Sequence, residues 1–330
     1  MSPLALVLIL SGVFFMIFLA IAGAMFFFGG PGDWEDGKES RTAIFDGNSG
    51  AVGVIELSGV IMESKKLTKQ IRKFEKSDRI KAVVIRVDSP GGAVGPSQEI
   101  YEAVKKLNAK KPVVASMGSV AASGGFYVAM AARKIFSNPG TITGSIGVIM
   151  EFANLQRLYE WAKIQRFAIK TGKFKDGGAS YREMTAEERA LFQGMLDNVL
   201  AQFKRAVAEG RKLPLEKITP IADGRIFSGE QAKELKLVDQ LGTLQDAIAE
   251  AGKLADIKGE PRVVYPREHR RDRLLEFLLD QPDEEDSRAR AGGLVERLAD
   301  QVLARLGLGE LDGGGARRAP GIYWLWNGAR

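Results

Sequence analysis

The sequence predicts an α/β fold, a mostly parallel sheet covered by helices, and three observations predict it. Short β-branched runs alternate with segments of helical periodicity. Those runs are mostly apolar rather than alternating, as in strands buried on both faces. Two glycine-rich stretches, "DSPGGAV" and "SVAASGG", fall at the carboxyl ends of such runs, where sites in parallel sheets gather.

Taken in order, "AVGVIEL" (51 to 57) and "KAVVIRVD" (81 to 88) read as buried strands. Between them, "KKLTKQIRKFEKS" has helical spacing through Leu67, Ile71 and Phe74. After the first glycines, "PSQEIYEAVKKLNA" places Pro96 and Ser97 at a helix opening and repeats Ile100, Val104 and Leu107. A strand over "PVVASMG" (112 to 118), a helix after Ser123 and a strand near "KIFSNP" continue the alternation, and "TITGSIGVIM" and "IQRFAIKTG" are expected as strands. "MTAEERALFQGMLDNVLAQFKRAVAEG" is a long amphipathic helix with Thr185 as N-cap, Glu188 completing a capping box and Gly210 as its stop. Its stripe of Leu191, Met195, Val199 and Phe203 reads as core or subunit contact rather than a cofactor box. "SGEQAKELKLVDQLGTLQDAIAEAG" gives two short helices.

The pattern divides the chain into an apolar N-terminus (1 to 28), a Gly/Asp/Ser-rich linker (29 to 50), one continuous α/β domain (51 to 265) and a tail (266 to 330). Pro3 to Phe28 is 26 residues without a charge, long enough to cross about 30 Å of hydrocarbon at about 1.5 Å per helical residue. A cleavable signal is the competing reading, since "AGA" at 22 to 24 resembles a cleavage site; the missing basic n-region and the length of the run favour an uncleaved anchor. Neither flank is rich in Lys or Arg, and the net acidic "GGPGDWEDGKES" suits translocation, so the domain is expected outside the cytoplasm, on a single-pass inner-membrane anchor. The tail carries a charge-dense stretch, an amphipathic "GGLVERLADQVLARL" and a terminal "GGGARRAPGIYWLWNGAR" expected to be flexible; it reads either as a solvated appendage or as a docking segment.

Composition excludes several classes. The net charge of +6 comes from Lys and Arg spread along the chain, with no aromatic-interleaved basic face for nucleic acid. Zero cysteines and one histidine remove disulfides, thiolate sites and a zinc centre, so neither metal nor cofactor is expected. "GSIG" and "SPGGAVG" lack the spacing of a dinucleotide fingerprint and the Lys-Ser/Thr of a phosphate loop.

Ser123, in "AASGG" at the start of a helix, is either a nucleophile on a tight turn or a small residue where two backbones pack. A serine nucleophile needs a base. His269 lies in the charged tail, in "REHRRDR". Asp88 is a weak base at neutral pH and suits capping the turn before "SPGG" equally well; with Pro90 it reads as structural, fixing the bend that presents Gly91 and Gly92. A lysine works only when neutral, which requires its pKa to fall from about 10.4 toward 7, about 4 to 5 kcal/mol between protonation states. Burial in an apolar pocket can supply that shift, but spacing alone does not choose among the lysines.

"DSPGGAV", "SMGSVAASGGFYVA", "TGSIGV" and "IKTGKFKDGG…YREMT", in this order from about Val52 to Leu254, resemble the bacterial signal peptide peptidases of the SppA type. The resemblance implies a membrane-anchored Ser–Lys peptidase with a ClpP/crotonase-like repeated β-β-α domain. Matched position by position, it makes Ser123 the nucleophile and Lys175 the general base, Gly92 and Gly124 the oxyanion donors, and Ser145 a serine that helps orient the lysine. It also implies peptide substrates such as remnant signal peptides, and closed homo-oligomeric rings, plausibly octamers, with serine and lysine meeting across a subunit boundary. Each residue has a blander reading: Gly124 and Gly125 as packing room, Ser145 as a turn residue, Lys175 as a solvated loop charge that only the resemblance lifts above Lys170 and Lys173. Two rival functions share the fold, an acyl-CoA enzyme of the crotonase type and a non-enzymatic membrane scaffold.

Overall fold

The computed structural model describes residues 50–266 and 323–325, all within the unit that spans 48–330. The anchor expected over 1 to 28, the linker up to residue 49, and His269 with most of the tail lie outside the described residues. Among the described residues no helix is long and apolar enough to cross a membrane.

The alternation expected from the sequence is present. Strand β1 (Ala51–Ser58) leads through α1 (Lys65–Lys76) to β2 (Ile80–Ser89), the short β3 (Gly91–Ala93) and α2 (Val94–Lys110). Strand β4 (Val113–Ala122), α3 (Gly124–Ala129), β5 (Lys134–Ser137) and β6 (Ile142–Gly144) follow. Farther on come α4 (Gln156–Trp161), α5 (Ala186–Arg211), α6 (Leu215–Ile218) with a 3-10 turn, β7 (Ile226–Ser228), α7 (Gly229–Glu234), β8 (Gln240–Leu241), α8 (Leu244–Leu254) and β9 (Arg262–Val264). The last described element is β10 (Tyr323–Leu325).

The main sheet runs β7-β6-β4-β2-β1-β9, with β5 beside the first half of β4 and β8 beyond it. Every pairing is parallel except β6 with β7. Because successive side chains point to opposite faces, each central strand serves two cores. Ile55, Leu57, Val83, Ile85, Val87, Ala115 and Met117 meet α1, α2, α3 and α5 on one face. Val52, Val54, Ala82, Val84 and Val114 meet α8 on the other. In α1 the buried residues are Leu67, Ile71 and Phe74, the spacing read from the sequence.

Four expectations need correction. "TITGSIGVIM" forms a strand only over Ile142–Gly144, because Gly144 (φ +82°) and Ser145 (φ +51°) turn the backbone out of the extended region. "IQRFAIKTG" forms no strand; it pairs with no strand among the described residues, and Phe167 and Ile169 are 82% and 97% exposed. Helix α5 has the capping box of Thr185 and Glu188 but runs through Gly210 and stops at Lys212 in the left-handed region (φ +52°, ψ +40°). Gly210 is there for close approach, since a Cβ would sit 2.3 Å from the carbonyl oxygen of Met130. The terminal stretch expected to be flexible contains β10, paired to β3.

Candidate active site

The first half of the site is the link from β2 to β3. Ser89 is buried, and its Oγ accepts a hydrogen bond from the Gly91 amide (3.1 Å), closing the "SPGG" turn with Gly91 at φ +102°. On one edge of β3 the Ile61 amide donates to Gly91 O (2.8 Å) and the Ala93 amide donates to Ile61 O (2.7 Å). The two backbones approach so closely that a Cβ on Gly92 would lie 2.1 Å from Ile61 O. Asp88, expected to fix the bend that presents Gly91 and Gly92, instead ties β2 to β4: its Oδ1 accepts from the Val120 amide (3.0 Å) across a register shift that pairs Val87 with Met117 but Ser89 with Ala121, and Ser89 closes the turn.

The second half is the turn from β4 into α3. Ser123 occupies it with φ +52° and ψ −117°, a conformation that costs a non-glycine residue about 1 to 3 kcal/mol. Its surroundings enforce it: the Ser123 amide donates to Gly144 O and its carbonyl accepts from Tyr127, both at 2.8 Å. All six residues of α3 are buried, with Phe126 and Tyr127 against Phe203 of α5, so the helix cannot drift to relieve the turn. A serine on a strained strand-to-helix turn is the geometry that fixes a nucleophile at the end of a sheet. Ser123 is 1% exposed, and its Oγ has no hydrogen-bond partner among the described residues.

Gly124, the first residue of α3, has an amide with no acceptor inside the helix. A Cβ on Gly124 would lie 2.6 Å from Ser97 Oγ and 3.2 Å from Gly92 N, so the two glycines implied as oxyanion donors adjoin. Ser97 holds this contact by donating to Ala93 O (2.8 Å). Ser145 follows Gly144, which pairs with Ala122, so it sits beside the Ser123 turn, buried, with its amide donating to Arg225 O (2.8 Å). Ser123, Gly92, Gly124 and Ser145 thus gather at the carboxyl edge of the sheet.

Lys175 is not part of that cluster within the chain. It is exposed in the turn-rich segment after α4, with its amide donating to Gly172 O (3.1 Å). Its neighbours are engaged: Lys170 bonds Asp176, and Lys173 pairs with Glu187. The Lys175 ammonium has no hydrogen-bond or ion-pair partner among the described residues.

The "YREMT" segment anchors this arm. Arg182 donates to both carboxylate oxygens of Asp176 (Nη2 to Oδ1 2.8 Å, Nε to Oδ2 3.1 Å) and to Glu188 Oε2 (2.9 Å), while the Thr185 amide donates to Glu188 (2.9 Å). The Arg182 hydrogen bonds, with Lys170, hold Asp176 well below the usual carboxylate range. Arg182, with the Thr185 amide, pulls Glu188 down to about 2. Sequence reasoning missed Ser89, Ser97 and Arg182. Ser89 and Ser97 flank the "PGG" in positions where polar residues are ordinary, and Arg182 acts on partners 6 residues away on either side, outside any helix period.

A serine held on a strained strand–helix turn beside two backbone amides, on a parallel α/β sheet, defines a serine hydrolase of the acyl-transfer kind. The profile of Peptidase family S49 matches residues 105–258, and that of Clp protease matches residues 54–141. "Putative protease slr0021" of Synechocystis sp. is 46% identical over 204 residues, which cover 62% of this chain and 74% of that one. "Serine protease SPPA, chloroplastic" of Arabidopsis thaliana is 37% identical over 206 residues (62% of this chain, 30% of that one), and "Protease 4" of Salmonella typhi is 34% identical over 219 (63% and 35%). The chain therefore spans about a third of the length of the last two. The chain belongs to peptidase family S49 and is a serine peptidase.

Proposed function

We propose that the chain is a membrane-anchored endopeptidase that cuts hydrophobic peptides, remnant signal peptides among them, through an acyl-enzyme on Ser123 with Lys175 as base. One observation carries the reading: Ser123 is held in a strained turn, its Oγ unpartnered among the described residues, next to the meeting point of Gly92 and Gly124. In this mechanism neutral Lys175 takes the Ser123 proton as Oγ attacks the scissile carbonyl carbon. The Gly92 and Gly124 amides donate to the oxygen that gains charge. The ammonium then gives its proton to the leaving amine, and water, deprotonated by the same lysine, releases the acyl group and restores Ser123.

Lys175 is exposed within one chain, so the base reaches the nucleophile only from another copy, in a homo-oligomeric ring with a shared site. The arm that carries it supports this reading. Trp161 and Phe167 are each 82% exposed and Ile169 97%, an apolar surface of the kind that marks an interaction site. The expected location is extracytoplasmic, on the anchor of residues 1 to 28.

A fluorophosphonate probe tests the nucleophile: labelling that disappears in Ser123→Ala supports it, and undiminished labelling refutes it. Mixing inactive Ser123→Ala with inactive Lys175→Ala under conditions of subunit exchange tests the shared site. Recovery of about a quarter of wild-type activity is expected for sites composed at random from two neighbours. No recovery, with exchange demonstrated by mass, would remove the shared site.

A further inference from the structure

Ser145 shares two features with Ser123. Its backbone sits at positive φ (+51°, against +52° for Ser123), and its hydroxyl is buried without a hydrogen-bond partner among the described residues. A non-glycine residue stays in that region only where its surroundings over-determine it. For Ser145 those surroundings are the turn Asp223–Gly224–Arg225, which leads into β7. The pairing of β6 with β7 reaches Gly144 opposite Ile226, and two more main-chain bonds extend it: the Ser145 amide donates to Arg225 O (2.8 Å) and the Gly224 amide to Ile146 O (3.0 Å). Gly224, at φ +88°, lets the chain turn there, and a Cβ on Gly147 would lie 3.1 Å from its Cα. Asp223 closes the turn on itself. Its Oδ1 accepts from the Arg225 amide (3.1 Å), and its carboxylate takes the Arg225 guanidinium in a fork (Nε to Oδ1 2.8 Å, Nη2 to Oδ2 2.6 Å). Both side chains are about half exposed, so the pair adds little to global stability. What it fixes is local: Arg225 O holds the Ser145 amide, and Gly144 O, one residue earlier, holds the Ser123 amide (2.8 Å).

We infer that Asp223 and Arg225 are positioning residues of this enzyme: their turn fixes the Ser145 backbone and so places the Ser145 hydroxyl for the base that activates Ser123. The inference rests on the reading of Ser123 and Lys175 as nucleophile and base. A hydroxyl buried without a partner inside one chain is suited to a polar group that arrives from another, because a buried polar group left unpaired is costly. It can guide that group only if its own backbone is rigid. A misplacement of about 1 Å in a reacting constellation can cost about 10²-fold in rate.

The test is a double-mutant cycle of Asp223→Ala and Ser145→Ala in the full chain. Asp223→Ala should lower kcat for a short apolar peptide about 10- to 100-fold with KM unchanged. It should keep the wild-type urea midpoint and speed hydrogen exchange at the Ser145 amide. In the Ser145→Ala background the same substitution should lower kcat by less than about twofold, because no hydroxyl is left to place. A role confined to folding gives the same fractional loss in both backgrounds. Should Asp223→Ala shift the midpoint, Arg225→Gln replaces it in the cycle, since it keeps the amide bond to Asp223 and loses only the fork. Equal losses in the two backgrounds, or wild-type kcat in folded Asp223→Ala, would overturn the inference. A wild type that neither cleaves peptide nor takes the fluorophosphonate probe counts against the proposed activity instead; exchange at Ser145 left unchanged by Asp223→Ala would then overturn the hold of the turn by itself.

Discussion

A Cβ added to Gly124 would lie 3.2 Å from the backbone nitrogen of Gly92, so the first residue of α3 and the middle of β3 touch without a side chain between them. This contact brings together two stretches, "SPGG" and "ASGG", that are 32 residues apart in sequence when counted from Gly92 to Gly124. Substitution at either glycine should therefore be a catalytic lesion first. In Gly92→Ala the new methyl meets main chain, Ile61 O at 2.1 Å, and β3 has to shift. In Gly124→Ala it meets Ser97 Oγ at 2.6 Å, which is tied to Ala93 O. Displacing one oxyanion donor typically costs about 10²- to 10³-fold in kcat. Steady-state cleavage of a peptide substrate checks this, and wild-type kcat in either variant would remove that glycine from the oxyanion site. Ser97→Ala should restore part of the activity of Gly124→Ala and none of that of Gly92→Ala.

The lysines of "KTGKFKDGG" should separate by function. Lys173 pairs with Glu187, both well exposed, and such a pair contributes about 0 to 1 kcal/mol. Lys173→Ala should therefore leave kcat within about threefold of wild type. Lys175→Ala should lower kcat by about 10³-fold or more, and Lys175→Arg should be equally inactive, because a guanidinium does not give up its proton in a protein. Activity in Lys175→Arg would exclude this residue as the base.

The anchor of the arm should make stability depend on pH in a defined window. Arg182 and the Thr185 amide stabilise ionised Glu188, so its folded value, about 2, lies below the ordinary 4.5. A depressed carboxylate contributes stability that is fully present above the unfolded value and is lost as pH falls through the folded one. The difference in urea midpoint between wild type and Glu188→Gln should thus be constant above about pH 4.5 and close as pH approaches 2. A difference that stays constant to pH 2.5 would show that the charge of Glu188 is not what holds the arm.

The exposed apolar residues of the arm should matter for assembly and not for folding. Phe167 and Ile169 contact little of their own chain, so Phe167→Glu and Ile169→Glu should unfold within about 0.5 kcal/mol of wild type. Sedimentation should show both variants shifted to smaller species, with activity lost in proportion to dissociation. An unchanged assembly would mean that another surface joins the subunits.

The parallel sheet and its helices were legible because Leu67, Ile71 and Phe74 in α1, or Val83, Ile85 and Val87 in β2, face one core, and local periodicity records that directly. The capping box at Thr185 was legible for the same reason, being confined to four residues. What escaped depended on partners distant in sequence. "IQRFAIKTG" has strand composition but pairs with no strand among the described residues, and "TITGSIGVIM" ends early because Gly144 and Ser145 take positive φ as the chain turns away to bond Arg225 O. Of the residues the resemblance singled out, Ser123, Gly92, Gly124 and Ser145 lie near one another and Lys175 lies apart from them within the chain, while β10 on β3 left no trace in local composition.

Gly210 gives a prediction whose sign local reasoning would reverse. An alanine inside a helix is ordinarily about 0.5 to 1 kcal/mol better than glycine, and Gly210 lies within α5. Here the added methyl would stand 2.3 Å from Met130 O and 3.1 Å from Met130 Cβ, at the end of the buried helix that carries Gly124. The closest obstacle is backbone, fixed by the Met130 amide bonding back to Phe126 and Tyr127 (3.2 Å each), so it cannot rotate aside. Overpacking of this kind costs about 1 to 3 kcal/mol, which exceeds the helix-propensity gain. Gly210→Ala should therefore lower the unfolding free energy by about 1 to 2 kcal/mol in urea titration. Activity should fall as well, because a displaced α3 moves the turn that holds Ser123. Gly194→Ala, with nothing within 4 Å of its added Cβ, is the control: the same substitution in the same helix should stabilise, and stabilisation of both variants would refute the close contact at Met130.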